Sequence, residues 1–251
     1  MHSIDLNCDM GESFGAWKMG DDATLMDYVS SVNIACGYHA GDASTIRKTV
    51  ETAIGKDVKI GAHPSFPDLQ GFGRREMKMS EHEIFDIVLY QVSALRGICE
   101  AFGARLNHVK PHGALYNQAV KDASISKAIV EAVKAVDKNL IFYGLSGSFL
   151  ISEAEKINLR TASEVFADRT YQNDGSLTLR NQPNALINET EKAVSQVLQM
   201  IKTQTVTTAS DEEIPIKAET VCIHGDGDHA VEFARTIREK LTENNIEIRC
   251  R

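Results

Sequence analysis

The chain has 251 residues, enough to bury a full core in one large α/β barrel or in two small domains. With 35 acidic and 27 basic residues the net charge is −8, which argues against a general nucleic-acid or anionic-membrane binder, because both need basic surfaces. A small anionic substrate in a locally basic pocket stays compatible with that balance.

The five cysteines (Cys8, Cys36, Cys99, Cys222 and Cys250) contain no CxxC pair and read as reduced thiols, several of them in the core. The first residues are polar by Asp5, so they carry no apolar signal core. No apolar run approaches the roughly 20 residues of a membrane span. The expected location is the cytoplasm.

Short strand-like runs alternate with helical patterns from one end to the other. The strand candidates are Ile4–Cys8, Val32–Cys36, Val58–Ala62, Arg105–Val109, Leu140–Gly144, Arg160–Phe166 and Thr220–His224. Between the third and fourth, Ile84, Val88, Val92, Leu95, Cys99 and Phe102 step by three or four residues and line one helix face. Ser80 to Glu83 spell a capping box that opens this helix, and Gly103 closes it. Ile125, Ile129, Val133 and Val136 trace a second stripe, and Phe233, Ile237 and Leu241 a third.

Strand-then-helix units in series imply parallel strands with helical crossovers. A closed (β/α) barrel and an open doubly wound sheet both satisfy that rule. The barrel is favoured because polar residues follow nearly every strand, whereas an open sheet gathers them at one switch point. The segment Thr203–Thr220 departs from the rhythm. Its β-branched residues alternate around Ala209-Ser210-Asp211, which predicts a small β-hairpin before the last barrel strand. No linker or repeat interrupts the chain, so residues 1–251 read as one seven-stranded barrel domain.

Each strand end carries candidate chemistry. Asp9 and Glu12 follow the first strand, His39 and Asp42 the second, and His63 the third, with Asp68, Arg74 and Arg75 close behind. The fourth ends in Lys110 and His112, the sixth carries Glu164, Asp168 and Arg169, and the seventh leads to His224 and Asp226. Glycine or proline flanks nearly all of them, as expected of loops that hold side chains near a ligand.

Structural roles compete for some of these positions. Asp42 precedes a helical segment and fits an N-cap as well as a binding role; one of Asp226 and Asp228 fits a cap too. His82 reads as a solvated helix residue, His108 as a satisfied core histidine, and His2 is terminal. Trp17 with Phe14-Gly15 suits either a pocket lid or packing. His39, His63, His112 and His224 remain as functional candidates.

Three common motifs are absent: there is no GxxxxGK[ST], no GxGxxG after the first strand and no HExxH. ATP chemistry would therefore need an unusual site or a partner chain. Histidines and carboxylates from different strands would also suit a divalent metal, although no local ligand spacing demands one.

The segments DLNCDMGESFG, VNIACGYHAGD, GAHPSFPDLQGFGRR, VKPHGALYN, EVFADRTY and CIHGDGDHAV resemble, in order, the signature segments of the LamB/YcsF family. The resemblance runs from Asp5 to about Leu241 and covers essentially every strand end. It implies a seven-stranded barrel of the polysaccharide-deacetylase type. It also implies the A subunit of a bacterial ATP-dependent 5-oxoprolinase, working with subunits B and C to turn 5-oxo-L-proline, ATP and water into L-glutamate, ADP and phosphate.

Opening that cyclic amide needs a base for water, cations for anionic groups and an acid for the departing nitrogen. Asp9, Glu12, Glu164 and Asp168 are the candidate bases, and His39, His63, His112 and His224 the proton-transfer groups. Asn7, Asn33, Asp42, Arg74, Lys110, Arg169 and Asp226 are the expected substrate-binding set. Two rival readings are a metal-dependent deacetylase or amide hydrolase and a non-catalytic binding subunit. The sequence leaves the identity of the base, a bound metal and homo-oligomer formation open.

Overall fold

The computed structural model describes residues 2–223 and 230–250. The expected positions His224 and Asp226 lie outside the described residues.

The chain begins with β1 (His2–Met10), the short α1 (Asp22–Leu25), β2 (Ser31–Ala35) and α2 (Ala43–Gly55). Then come β3 (Lys59–His63), α3 (Glu81–Ala101), β4 (Leu106–Val109), α4 (Gly113–Lys121) and α5 (Ala123–Val136). β5 (Ile141–Leu145), α6 (Phe149–Lys156), β6 (Arg160–Phe166) and α7 (Thr190–Lys202) follow. The chain closes with β7 (Thr205–Thr207), β8 (Glu213–Pro215), β9 (Thr220–Ile223), α8 (Ala230–Glu243) and β10 (Ile246–Ile248).

Seven parallel strands run β1-β2-β3-β4-β5-β6-β9, and β9 pairs back onto β1 to close the barrel. The strand expectations hold to within a residue or two, and β7 and β8 form the antiparallel hairpin expected between Thr203 and Thr220. An eighth parallel strand, β10, adds to the outer end of β1 through His2–Ile4.

The predicted capping box is present: Ser80 Oγ accepts from the Glu83 amide while the Glu83 carboxylate accepts from the Ser80 amide. No helix among the described residues is long and apolar enough to cross a membrane.

Residue parity decides what each strand shows to the inside. The outward residues Ile4, Leu6, Cys8, Val32, Ile34, Ile60, Val165 and Val221 are buried in one continuous apolar layer with the helices. Branched apolar residues usually fill a barrel of this kind. Among the described residues, Ile141, Tyr143 and Ala162 form a separate apolar plug inside. Above it the interior is polar, and every inward group needs a partner because water is excluded.

Asp5 accepts from Ser30, Ser31, Tyr143 and Thr220 at 2.6 to 2.9 Å. One level up, His108 Nε2 lies 2.8 Å from Asn33 Oδ1 and its ring stacks on Tyr143. Gly61 makes that possible, since a Cβ there would come 2.1 Å from His108 Nε2.

Candidate functional site

The polar column inside the barrel ends in a cluster at the C-terminal ends of the strands. Lys110, just past β4, is its hub and is 3% exposed. Its Nζ sits 2.8 Å from Glu164 Oε1, 3.1 Å from Asp9 Oδ1, 3.2 Å from Asn7 Oδ1 and 3.1 Å from Cys222 Sγ. Desolvation alone would pull the ammonium down, but Asp9, Cys222 and Glu164 together hold its pKa well above the usual lysine value.

The surrounding amides complete the network. Asn33 Nδ2 donates to Asn7 Oδ1 and Asp9 Oδ1, while Asn7 Nδ2 donates to Glu164 Oε1. Tyr116, one helical turn after His112, donates its hydroxyl to Glu164 Oε2 at 2.8 Å.

Above Lys110 three histidines meet. His63 ends β3, His112 caps the start of α4, and His39 comes from the loop after β2. The imidazoles of His39 and His112 stack with centroids 3.8 Å apart, and His63 stands edge-on to both.

Backbone carbonyls fix two of the rings: His63 Nδ1 lies 2.6 Å from Lys110 O, and His112 Nε2 lies 2.9 Å from Phe72 O. Carbonyls only accept, so these nitrogens carry the protons. The other nitrogens, His63 Nε2 and His112 Nδ1, then face each other at 3.0 Å. Burial, followed by the charges of its histidine neighbours, holds His112 well below the usual imidazole pKa; burial and His63 do the same for His39.

Two carboxylates approach this triad. Asp9 Oδ2 is 3.3 Å from His63 Nε2; Glu12 Oε1 is 3.2 Å from His39 Nε2 and 3.7 Å from His112 Nδ1. Gly73 permits the crowding, because a Cβ there would come 2.8 Å from both the His112 ring and His39 Cβ. Glu12, His39, His63 and His112 each offer one ligand atom, all within 4.8 Å of one another, a donor set that fits a divalent metal.

The cluster forms the floor of a cavity of about 990 Å³. Asp9, Glu12, His63, Lys110 and His112 line its depth, and Arg74, Lys78, Lys121, Arg169 and Arg180 bring positive charge to its walls. Arg169 is buried and donates to the carbonyls of Thr178 and Ala185. Burial and then the neighbouring Arg180 lower its pKa to about 10.

The structure thus gathers Asn7, Asp9, Glu12, Asn33, His39, His63, Lys110, His112 and Glu164 into one network, with Arg74 and Arg169 on the cavity wall. Two expected residues sit elsewhere. Asp42 caps α2, accepting from Ser44 and Thr45, and also accepts from the Gly15 amide. Asp168 is half-buried and does not line the cavity, and Trp17 is 74% exposed and does not line it either. Asp68, near the third strand end, is occupied by Arg75.

Tyr116 and Cys222 escaped sequence reasoning. The four-residue step from His112 to Tyr116 and the two-residue step from Thr220 to Cys222 are the periodic signals that place each on the inward face.

The model of the LamB/YcsF family matches residues 4–250. The chain belongs to the LamB/YcsF family. A relative from Tolumonas auensis, named as the A subunit of 5-oxoprolinase, is 55% identical over 249 residues, which cover 99% of each chain. The lactam utilization protein from Thermus thermophilus superposes with a TM-score of 0.93 at 42% identity, covering 98% of this chain and 99% of that one.

More distantly, the family 4 carbohydrate esterase from Streptomyces lividans superposes with a TM-score of 0.52 at 11% identity, covering 98% of this chain and 91% of that one. That last likeness is one of fold: this LamB/YcsF protein has the deacetylase type of (β/α) barrel.

Proposed function

We propose that this chain is the A subunit of a 5-oxoprolinase and that it opens the lactam ring once partner subunits have activated it with ATP. The observation that carries the reading is the cavity floor. There Asp9 lies between the Lys110 ammonium and the His63 imidazole, beneath walls lined by arginine and lysine. The Tolumonas relative, matched over its full length, is named as one subunit of that enzyme, which implies others; we assign them as B and C.

A lactam resists water because its nitrogen lone pair is delocalised into the carbonyl. Phosphorylation of the carbonyl oxygen by a partner, with ATP as co-substrate, makes the ring carbon electrophilic. Water then adds to that carbon as Asp9 removes its proton. The C–N bond breaks with its electron pair passing to nitrogen, which takes up the proton that Asp9 accepted from the water. A second water releases phosphate from the opened chain and leaves L-glutamate.

Arg74 and Arg169 would hold the substrate carboxylate and phosphate through paired N–H donors. Lys110 and Glu164, sealed beneath, keep Asp9 in place. A divalent metal bound by Glu12, His39, His63 and His112 would supply Lewis acidity or a more acidic water.

The test is glutamate release from 5-oxoproline and ATP by the chain with and without the two candidate partner subunits. Glutamate should form only in the complete mixture. ATP-dependent turnover by the chain alone would overturn the division of labour, and a complete mixture that releases none would overturn the assignment. The histidine and carboxylate cluster also favours a second reading, a metal-dependent amide hydrolase that needs no ATP; hydrolysis of simple N-acyl substrates by the isolated chain distinguishes it.

A further inference from the structure

The arrangement of lone pairs above Lys110 demands a cation. His63 and His112 each give their N–H to a backbone carbonyl, so their remaining nitrogens present lone pairs to each other at 3.0 Å. Two lone pairs at that distance repel unless something positive sits between them.

A single proton could bridge that pair, but it would account for only two members of the cluster. The Glu12 carboxylate and His39 converge on the same point, with Glu12 Oε1 at 3.2 Å from His39 Nε2 and 3.7 Å from His112 Nδ1. His39 presents to that point the Nε2 that faces Glu12 Oε1.

We propose that Glu12, His39, His63 and His112 form a resident site for a zinc-class divalent ion. A tetrahedron with metal–nitrogen bonds of roughly 2.0–2.1 Å has edges of about 3.3 Å. Three of the six separations between the ligand atoms, 3.0, 3.2 and 3.7 Å, straddle that edge, and all six lie within 4.8 Å. Three imidazoles and one carboxylate suit zinc, cobalt, iron or manganese, whereas magnesium and calcium favour oxygen ligands.

The carbonyls of Lys110 and Phe72 act as the outer shell that holds each ring in its ligating tautomer. Glu12, His63 and His112 line the cavity, so an exchangeable position would face the substrate space. Asp9, held by Lys110 and Asn33, lies beside it.

The inference concerns binding by the chain alone and is independent of the reaction assigned above. Full-length chain freed of metal by a chelator is titrated with Zn²⁺ against a chromophoric competitor, and with Co²⁺ while visible d–d absorption is followed. The expected result is one ion per chain and cobalt bands of a low-symmetry nitrogen and oxygen site. His112→Ala and Glu12→Gln should each weaken Zn²⁺ binding by more than the roughly 10–100-fold typical of losing an outer-shell partner. His82→Ala, on the exposed side of α3, should leave binding unchanged.

Circular dichroism and thermal melting confirm that each variant is folded. If one misfolds, His39→Gln takes its place. Absence of saturable Zn²⁺ and Co²⁺ binding, or binding that the ligand variants do not weaken, would overturn the proposal and leave the bridging proton.

Discussion

Lys110 Nζ and Glu164 Oε1 lie 2.8 Å apart, with the lysine side chain 3% exposed and the glutamate fully enclosed. Removing either partner leaves the other charge without its counterion at the buried floor of the cavity. Lys110→Ala should therefore destabilise the fold by about 3–5 kcal/mol, the range for breaking a buried pair. Asn7, Asp9 and Cys222 also lose a contact, which pushes the loss toward the upper end. Urea unfolding checks this, and a loss below about 1 kcal/mol would mean that Lys110 is not the hub of the network.

Asp9 is the carboxylate beside Lys110 that reaches the cavity. Asp9→Asn keeps its shape and its oxygen toward Asn33 but removes the proposed base. In the reconstituted complex the rate of glutamate release should fall about 100–10,000-fold, the usual contribution of a positioned acid or base. A fall in rate with little change in the KM for 5-oxoproline supports a role in the chemical step. Full activity in this variant would exclude Asp9 as the base.

The barrel is legible in the sequence because its strands are short apolar runs that each lead into a loop and a helix. β10 is not, since Ile246-Glu247-Ile248 is too short to show a period. The histidines stand out for a similar reason: His39, His63 and His112 each follow a strand beside glycine or proline. The network beneath them is hidden because it depends on register. Only the pairing of Asp9 with Asn33 and of Asn7 with Cys222 brings those side chains to Lys110. Asp42 shows the converse, since a strand-end carboxylate is also the residue that best starts a helix.

That role makes Asp42 a stability residue. Its carboxylate accepts from the amides of Ser44, Thr45 and Gly15, and these bonds, led by Gly15, lower its pKa to about 2. A lowered pKa means that the charged form favours folding, so the contribution is present above the unfolded value of 3.8 and is lost as pH falls toward 2. Asp42→Ala should lower stability, as the loss of an N-cap does. The difference from wild type should shrink between pH 4 and pH 2, and a difference that stays constant over that range would exclude the cap as its cause.

Gly61 and His108 form a pair in which one residue exists to make room for the other. In Gly61→Ala the new methyl would lie 2.1 to 2.5 Å from three atoms of the imidazole, which is pinned by Asn33 and stacked on Tyr143. A loss of about 1–3 kcal/mol is expected from such overpacking. Adding His108→Ala should relieve the clash, so the double variant should be more stable than the sum of the two single losses predicts. Additive losses would show that the barrel absorbs the methyl in another way.

His108 also makes the barrel sensitive to acid. Burial first, and then the charges of Lys110 and His63, lower its pKa to about 3. The folded chain therefore holds the ring neutral between Asn33, Tyr143 and Gly61 under conditions in which the unfolded chain binds a proton. Its contribution is complete above the ordinary imidazole value of 6.5 and falls away as the pH drops toward 3. The slope should approach at most about 1.4 kcal/mol per pH unit, the equivalent of one proton. His108→Asn, which keeps an N–H for Asn33 but does not titrate in this range, should unfold with a shallower pH dependence between pH 6.5 and pH 4 than wild type. Parallel stability curves for the two proteins would mean that the acid sensitivity arises in other groups.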